Sequence, residues 1–177
     1  MKFTVYIPSK GRAGKVTTHK LFKESIIVCP KSEVKEYKKY HNKVLGVDDK
    51  IKGITKTRNW ILENNKAKYH IQVDDDATSF YGFENGGQYK FIEVERIERI
   101  IETQFNVCEE WDLKAFGFAL TGDYKFYREF RPFSTQSVVG ANILGIIKNP
   151  LRFDERLVVK EDYDYSMQHI AKYGGVL

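Results

Sequence analysis

The residues best suited to chemistry are three consecutive carboxylates, Asp74-Asp75-Asp76, which directly follow the apolar run Ile71-Gln72-Val73. Neighbouring carboxylates repel one another, so the cluster calls for a cation. Alternate side chains of an extended strand share a face, which puts Asp74 and Asp76 together and sends Asp75 the other way. Two hard oxygen ligands at the carboxyl end of a strand suit Mg2+ or Mn2+ bound jointly with substrate phosphates. An acidic surface turn is the plainer alternative.

A second acidic stretch is Glu161-Asp162-Tyr163-Asp164. Acidic side chains favour a helix N-terminus, which is one reason for their presence. The other is a carboxylate offered as general base to an acceptor hydroxyl. His169 lies seven positions after Asp162, nearly on the same helix face, either beside that carboxylate or as a structural histidine. Lys10 and Arg12 occupy the polar loop Ser9-Lys10-Gly11-Arg12-Ala13-Gly14, and Arg58 is expected in the first turn of a helix. Helix starts and arginine forks attract phosphate, so beside the Asp cluster these residues outline a nucleoside-diphosphate site. Residues 124–133 interleave Lys125, Arg128 and Arg131 with aromatic rings. That pattern suits phosphates and an extruded base, or a hairpin with its rings in the core.

Positioning these groups requires a scaffold, and the hydrophobic pattern predicts one. Residues 3–7, 25–29, 43–47 and 69–73 read as short strands, the first two stopped by Pro8 and Pro30. Between them lie helical pieces at 16–22, at 32–40 with Ser32 as N-cap, and from Thr55 or Thr57 to Asn64. Strands separated by helices predict a mostly parallel α/β sheet. Ile97, Ile100, Ile101, Phe105, Cys108 and Trp111 form one apolar stripe, predicting a core helix over 92–111. Residues 115–120 and 137–147 read as strands. A last helix, 161–173, should carry Tyr163, Met167, Ile170 and Ala171 inward and stop at Gly174.

The 177 residues suffice for about one domain with its own core. Apolar residues make up 42% and charged residues 30%, a globular balance. No apolar run approaches a bilayer span and no signal core precedes the first strand, so no membrane partner and a cytoplasmic location are expected. Cys29 and Cys108 sit in apolar surroundings and read as buried thiols in a reducing compartment. The 29 basic and 24 acidic side chains leave a charge of +5. That falls short of a dedicated DNA-binding stripe but suits an enzyme with a polyanionic acceptor.

Taken in order, Ile7-Pro8-Ser9-Lys10-Gly11-Arg12, Thr57-Arg58-Asn59, Val73-Asp74-Asp75-Asp76, and Phe153-Asp154-Glu155-Arg156-Leu157 with Glu161-Asp162-Tyr163-Asp164 resemble the motifs of GT-A nucleotide-sugar glycosyltransferases. The Ile-Pro-Ser-Lys-Gly-Arg start and Thr57-Arg58-Asn59-Trp60 are most similar to the phage TET-associated enzymes that decorate hydroxymethylated pyrimidines in DNA. The resemblance implies a GT-A-like single domain over 1–177 with a Rossmann-like nucleotide-binding half. It implies Asp74 and Asp76 as ligands of Mn2+ or Mg2+. Pro8, Ser9, Lys10, Arg12, Asp48, Arg58 and Asp75 would line the site of a nucleotide-sugar donor, a UDP-sugar by expectation. Asp162 would be the base with Glu161 beside it, and modified double-stranded DNA in the host cytoplasm would be the acceptor. Many members supply a further metal ligand, often His, after the Glu-Asp helix; by this resemblance either the site is minimal, or His169 or water takes that place, or part of the protein is missing from the sequence. The competing readings are a glycan acceptor, a metal-dependent nucleotidyltransferase or nuclease, and a non-catalytic DNA-binding protein.

Overall fold

The computed structural model describes residues 2–84, 88–118, 133–140 and 142–177. The aromatic and basic segment, Phe133 apart, lies outside the described residues, as do residues 119–120 and 141 of the two strands expected beside it; residues 137–140 are irregular, so the second of those strands starts only at Ile143. Four parallel strands, β1 (Thr4–Pro8), β2 (Ile26–Pro30), β3 (Val44–Val47) and β4 (Tyr69–Val73), alternate with helices as the pattern predicts. The helices are α1 (Val34–Tyr37), α2 (Ile54–Asn64), α3 (Val94–Glu110) and α4 (Glu161–Tyr173). A hairpin of β5 (Phe80–Glu84) and β6 (Gln88–Ile92) stands apart from the main sheet. The main sheet is completed by β7 (Ala115–Gly117) and β8 (Ile143–Ile147), giving the order β3-β2-β1-β4-β8-β7 with β8 antiparallel to both neighbours. The α/β sheet flanked by helices is therefore as expected, with one reversed strand.

Strand alternation sorts the core into layers. Ile7, Ile27, Ile71 and Val73 join Ile97, Ile101, Phe105 and Cys108 of α3 on one face. Tyr6, Val28 and Val47 meet Ile61 of α2 on the other, while Leu144 and Ile146 meet Phe153 and Tyr165. Where Gly145 crosses β8, the Phe116 ring occupies the space a Cβ would take, with ring carbon 2.1 Å from the ideal Cβ position.

Several local expectations are corrected. The helical piece at 16–22 is only a 3-10 turn, Thr18–Lys20, and α1 is four residues long after a 3-10 turn at Lys31–Glu33. Ser32 is no N-cap; its N–H and hydroxyl both bond Asp49 Oδ1. Gly53, at φ 97, precedes α2 in place of a threonine cap, so Arg58 falls in the second turn. Residue 92 ends β6, so α3 starts two residues later, and Trp111 at its end is 49% exposed rather than buried. On α4, Tyr163 and Met167 face outward at 38% and 55% exposure, Ala171 is exposed too, and the buried set is Glu161, Tyr165, Ser166 and His169. A helix that docks polar residues inward misleads a reading that counts only apolar ones. The hairpin β5–β6 is not anticipated, although aromatic runs on either side of Asn85-Gly86-Gly87 are a hairpin signal.

Candidate functional site

The carboxyl ends of β1, β2 and β3 open into a cleft of about 180 Å³. Pro8, Val28, Val47 and Ile51 supply apolar walls, and Ser9, Lys10 and Asp75 supply polar groups. Both prolines end their strands where no ladder donor is needed, which frees the loop after β1 to turn into the site. Ser9 donates from Oγ to Asp75 Oδ2 at 2.5 Å and receives the Tyr37 hydroxyl at 2.7 Å. The same Tyr37 oxygen accepts the Arg12 N–H at 3.1 Å, so a buried tyrosine 28 residues from Ser9 shapes the loop. Nothing in the sequence spacing signals that role.

The three aspartates do not alternate as an extended strand would, because β4 stops at Val73 and the chain turns. Asp75 is buried against Ser9 and lies 3.1 Å from Arg12 Nη1, which also reaches Asp76 at 3.4 Å. Asp76 remains 63% exposed. Asp74 turns to Arg58, whose Nη2 donates to its Oδ1 at 2.8 Å. The turn is held by Thr18, which donates to the Asp74 carbonyl at 2.5 Å and accepts the Ala77 N–H at 2.9 Å. Asp75 and Asp76 therefore share one arginine, and Asp74 has another.

Arg58 is 2% exposed and stands beneath the site rather than in the cleft, contrary to its expected place along the nucleotide. Its Nε lies 3.7 Å from Glu161 Oε1, so one guanidinium spans the carboxylate turn and the start of α4. Asn59, next to it, donates to the Phe153 carbonyl at 2.9 Å and accepts the Phe153 N–H at 2.9 Å. Thr55 adds a bond to the Leu157 carbonyl at 3.1 Å. The first turns of α2 thus tie down the segment that leads into α4. Lys160 enters α4 at φ 61, a left-handed conformation that costs a non-glycine residue about 1–3 kcal/mol. The entry sets Glu161 inward and leaves Asp162 half-buried, with its Oδ1 accepting the Tyr163 N–H at 2.9 Å.

Two expected participants sit elsewhere. His169 is fully buried, with Nδ1 on the Tyr165 carbonyl at 2.9 Å and Nε2 3.4 Å from the Asn149 amide. Burial pushes its pKa below the usual histidine range, and the ring is a core group rather than a ligand. Asp48 is exposed just past β3, where its Oδ1 accepts the Lys50 N–H at 2.9 Å; it does not line the cleft.

Among the described residues, no three His, Cys, Asp or Glu side chains gather into a metal cage. Burial pushes the Asp74 carboxyl above its usual range; Asp76 and Asp75 act in the same direction and Arg58 opposes them. Crowded carboxylates at a solvent-facing turn fit a hard cation that completes its shell with substrate oxygens and water.

No curated protein sequence matches this chain. Among solved structures it resembles S. aureus TarS residues 1–349, with TM-score 0.59 and 15% identity, covering 99% of this chain and 57% of that one. A TarS complex with UDP-GlcNAc aligns with TM-score 0.56 at 15% identity, covering 99% and 55% of the two chains. The mannosyltransferase PcManGT from Pyrobaculum calidifontis, bound to GDP-Man and Mn2+, aligns with TM-score 0.59 at 11% identity over 99% and 53%. The chain thus spans little more than half the length of these structures, and at such identities the likeness shows the fold. Residues 3–173 match the model of the TET-associated glycosyltransferases, so the chain belongs to that family.

Proposed function

We propose that this chain transfers a sugar from a nucleoside-diphosphate sugar, with uridine as the base, to a hydroxyl of a hydroxymethylated pyrimidine in double-stranded phage DNA. The observation that carries the reading is the Arg58 bridge, which joins the carboxylate turn at the cleft to the α4 turn bearing Asp162. A donor site and an acceptor base are thereby tied to one buried guanidinium. Membership of the TET-associated family supports glycosyl transfer, and the net charge of +5 favours a polyanionic acceptor such as modified DNA. The UDP-GlcNAc and GDP-Man complexes of the structural neighbours support a nucleotide-sugar donor.

The apolar walls of the cleft would take the nucleobase, and Lys10 with the loop after β1 the diphosphate. Asp74 and Asp76 would hold Mn2+ or Mg2+, which when bound supplies charge neutralisation on the departing diphosphate. Arg12 stays on Asp75 and Asp76 and holds the turn in place. Asp162 accepts the proton of the acceptor hydroxyl, while Glu161, fixed on Arg58, orients that turn.

A thermal-shift panel of nucleotide sugars with and without Mn2+ tests the donor, followed by release of free nucleoside diphosphate in the presence of hydroxymethylated DNA. One donor should raise Tm only with the metal. Asp76→Asn should abolish that shift and turnover, and Asp162→Asn should abolish turnover alone. Turnover unchanged in Asp76→Asn refutes the metal role; transfer to a glycan but not to DNA refutes the acceptor.

A further inference from the structure

A second hollow of about 210 Å³ lies beside the loop that carries Arg12 and shares no lining residue with the nucleotide cleft. Lys15, Thr17, His19, Lys20, Tyr40 and His41 line it, and among the described residues no carboxylate does. Two acidic groups of the neighbouring segment, Glu33 and Glu36, are already committed. Glu36 pairs with Lys39, and Glu33 accepts the Gly11 N–H at 2.7 Å. The His19 and His41 rings stand 4.7 Å apart, edge to face. Burial and the neighbouring His41 keep the His19 pKa below its ordinary value. Thr17 Oγ1 is shielded from solvent and has no hydrogen-bond partner among the described residues.

The hollow belongs to the basic first third of the chain. The first 60 residues hold fifteen basic and five acidic side chains; the remaining 117 hold fourteen and nineteen. Such asymmetry raises a positive potential over one part of the surface and draws a polyanion there. The hollow is smaller than the roughly 300 Å³ of a typical ligand pocket but large enough for a single phosphate group. It is also rigidly placed relative to the carboxylates. The Thr17 N–H donates to the Asp75 carbonyl at 2.9 Å, and Thr18 holds the Asp74 carbonyl.

We infer that this hollow seats a backbone phosphate of duplex DNA, gripped by Lys15 and Lys20, and so sets the register of the acceptor strand against the carboxylate turn. The inference rests on the DNA-acceptor reading above. Phosphate contacts position a duplex without reading its sequence, which is what an enzyme needs when the modified base alone defines the target.

The test is fluorescence anisotropy of a short unmodified duplex, titrated with salt, for the wild type and for Lys15→Ala/Lys20→Ala. Two lost phosphate contacts should lower the slope of log K against log salt by about 2 and weaken binding about 60-fold near 0.1 M salt. Lys15→Arg/Lys20→Arg should keep slope and affinity, and Lys66→Ala/Lys148→Ala should change neither. Donor-induced thermal shifts should be the same in all variants. A wild type that does not bind duplex overturns the acceptor reading along with this one. A wild type that binds, with a double alanine variant of equal affinity and slope, overturns the phosphate site alone.

Discussion

Arg58→Met probes the bridge on which the site depends. The substitution keeps a long side chain and removes a guanidinium that is 2% exposed, 2.8 Å from Asp74 and 3.7 Å from Glu161. At an effective dielectric of about 20, the two attractions amount to roughly 6 and 4 kcal/mol before any desolvation cost. The desolvation of a buried cation offsets much of this, and water screens Asp74, whose side chain is 41% exposed. Glu161, with its side chain only 10% exposed, is left as an uncompensated buried carboxylate. Breaking a buried pair in this way costs about 3–5 kcal/mol, and the exposure of Asp74 puts the expected value near 3. For a chain of this length that is a Tm lower by roughly 6–12 °C. Urea and thermal unfolding would measure it. Adding Glu161→Gln removes the stranded charge, so the double variant should regain at least about 1 kcal/mol over Arg58→Met. A loss below about 1 kcal/mol for the single variant, or simple additivity in the double, refutes the bridge as a linked unit.

Two other measurements bear on the scaffold. Burial lowers the pKa of His70 to about 4 from an unfolded value near 6.5, so the unfolded chain binds the extra proton between these limits. Stability should therefore fall as pH drops from about 6.5 to 4, by up to roughly 3 kcal/mol, and His70→Gln should flatten that profile in urea titrations. A wild-type stability flat across this range would contradict it. Gly145→Ala places a methyl into the Phe116 ring on the partner strand, at 2.1 Å from ring carbons. Overpacking of this kind costs about 1–3 kcal/mol, read as a lower urea midpoint with m unchanged; a neutral variant would show that β7 and β8 slide apart freely.

The sequence by itself determined the parts of the molecule governed by short-range rules. Strands β1 to β4 follow from apolar runs ended by Pro8, Pro30 and paired aspartates, and α3 follows from its stripe at three- and four-residue steps. Gly174 ends α4 in the left-handed conformation at φ 79, as a glycine after a last apolar turn should. Cys29 and Cys108 are buried free thiols, with pKa values raised to about 11 and 12 by burial. The carboxylate cluster, the loop after β1 and the Glu161-Asp162 turn were legible as chemistry because residue type alone limits what they can do.

Tertiary structure alone decided how those groups pair. The fate of Asp74, Asp75 and Asp76 depends on where β4 stops and on two arginines, 16 and about 64 residues away in the chain. Arg58 reads as a phosphate ligand from its type, yet the packing of α2 against the segment before α4 buries it between carboxylates. Tyr37 shapes the loop after β1 through two hydrogen bonds that no local pattern encodes. His169 lost any claim as a ligand when Tyr165 and Asn149 took its nitrogens, and Tyr163 and Met167 turned outward because α4 buries Glu161 and Ser166 instead. The physical reason is common to all of them: a polar side chain is committed by the partner that meets it across the fold, and periodicity along one element cannot name that partner.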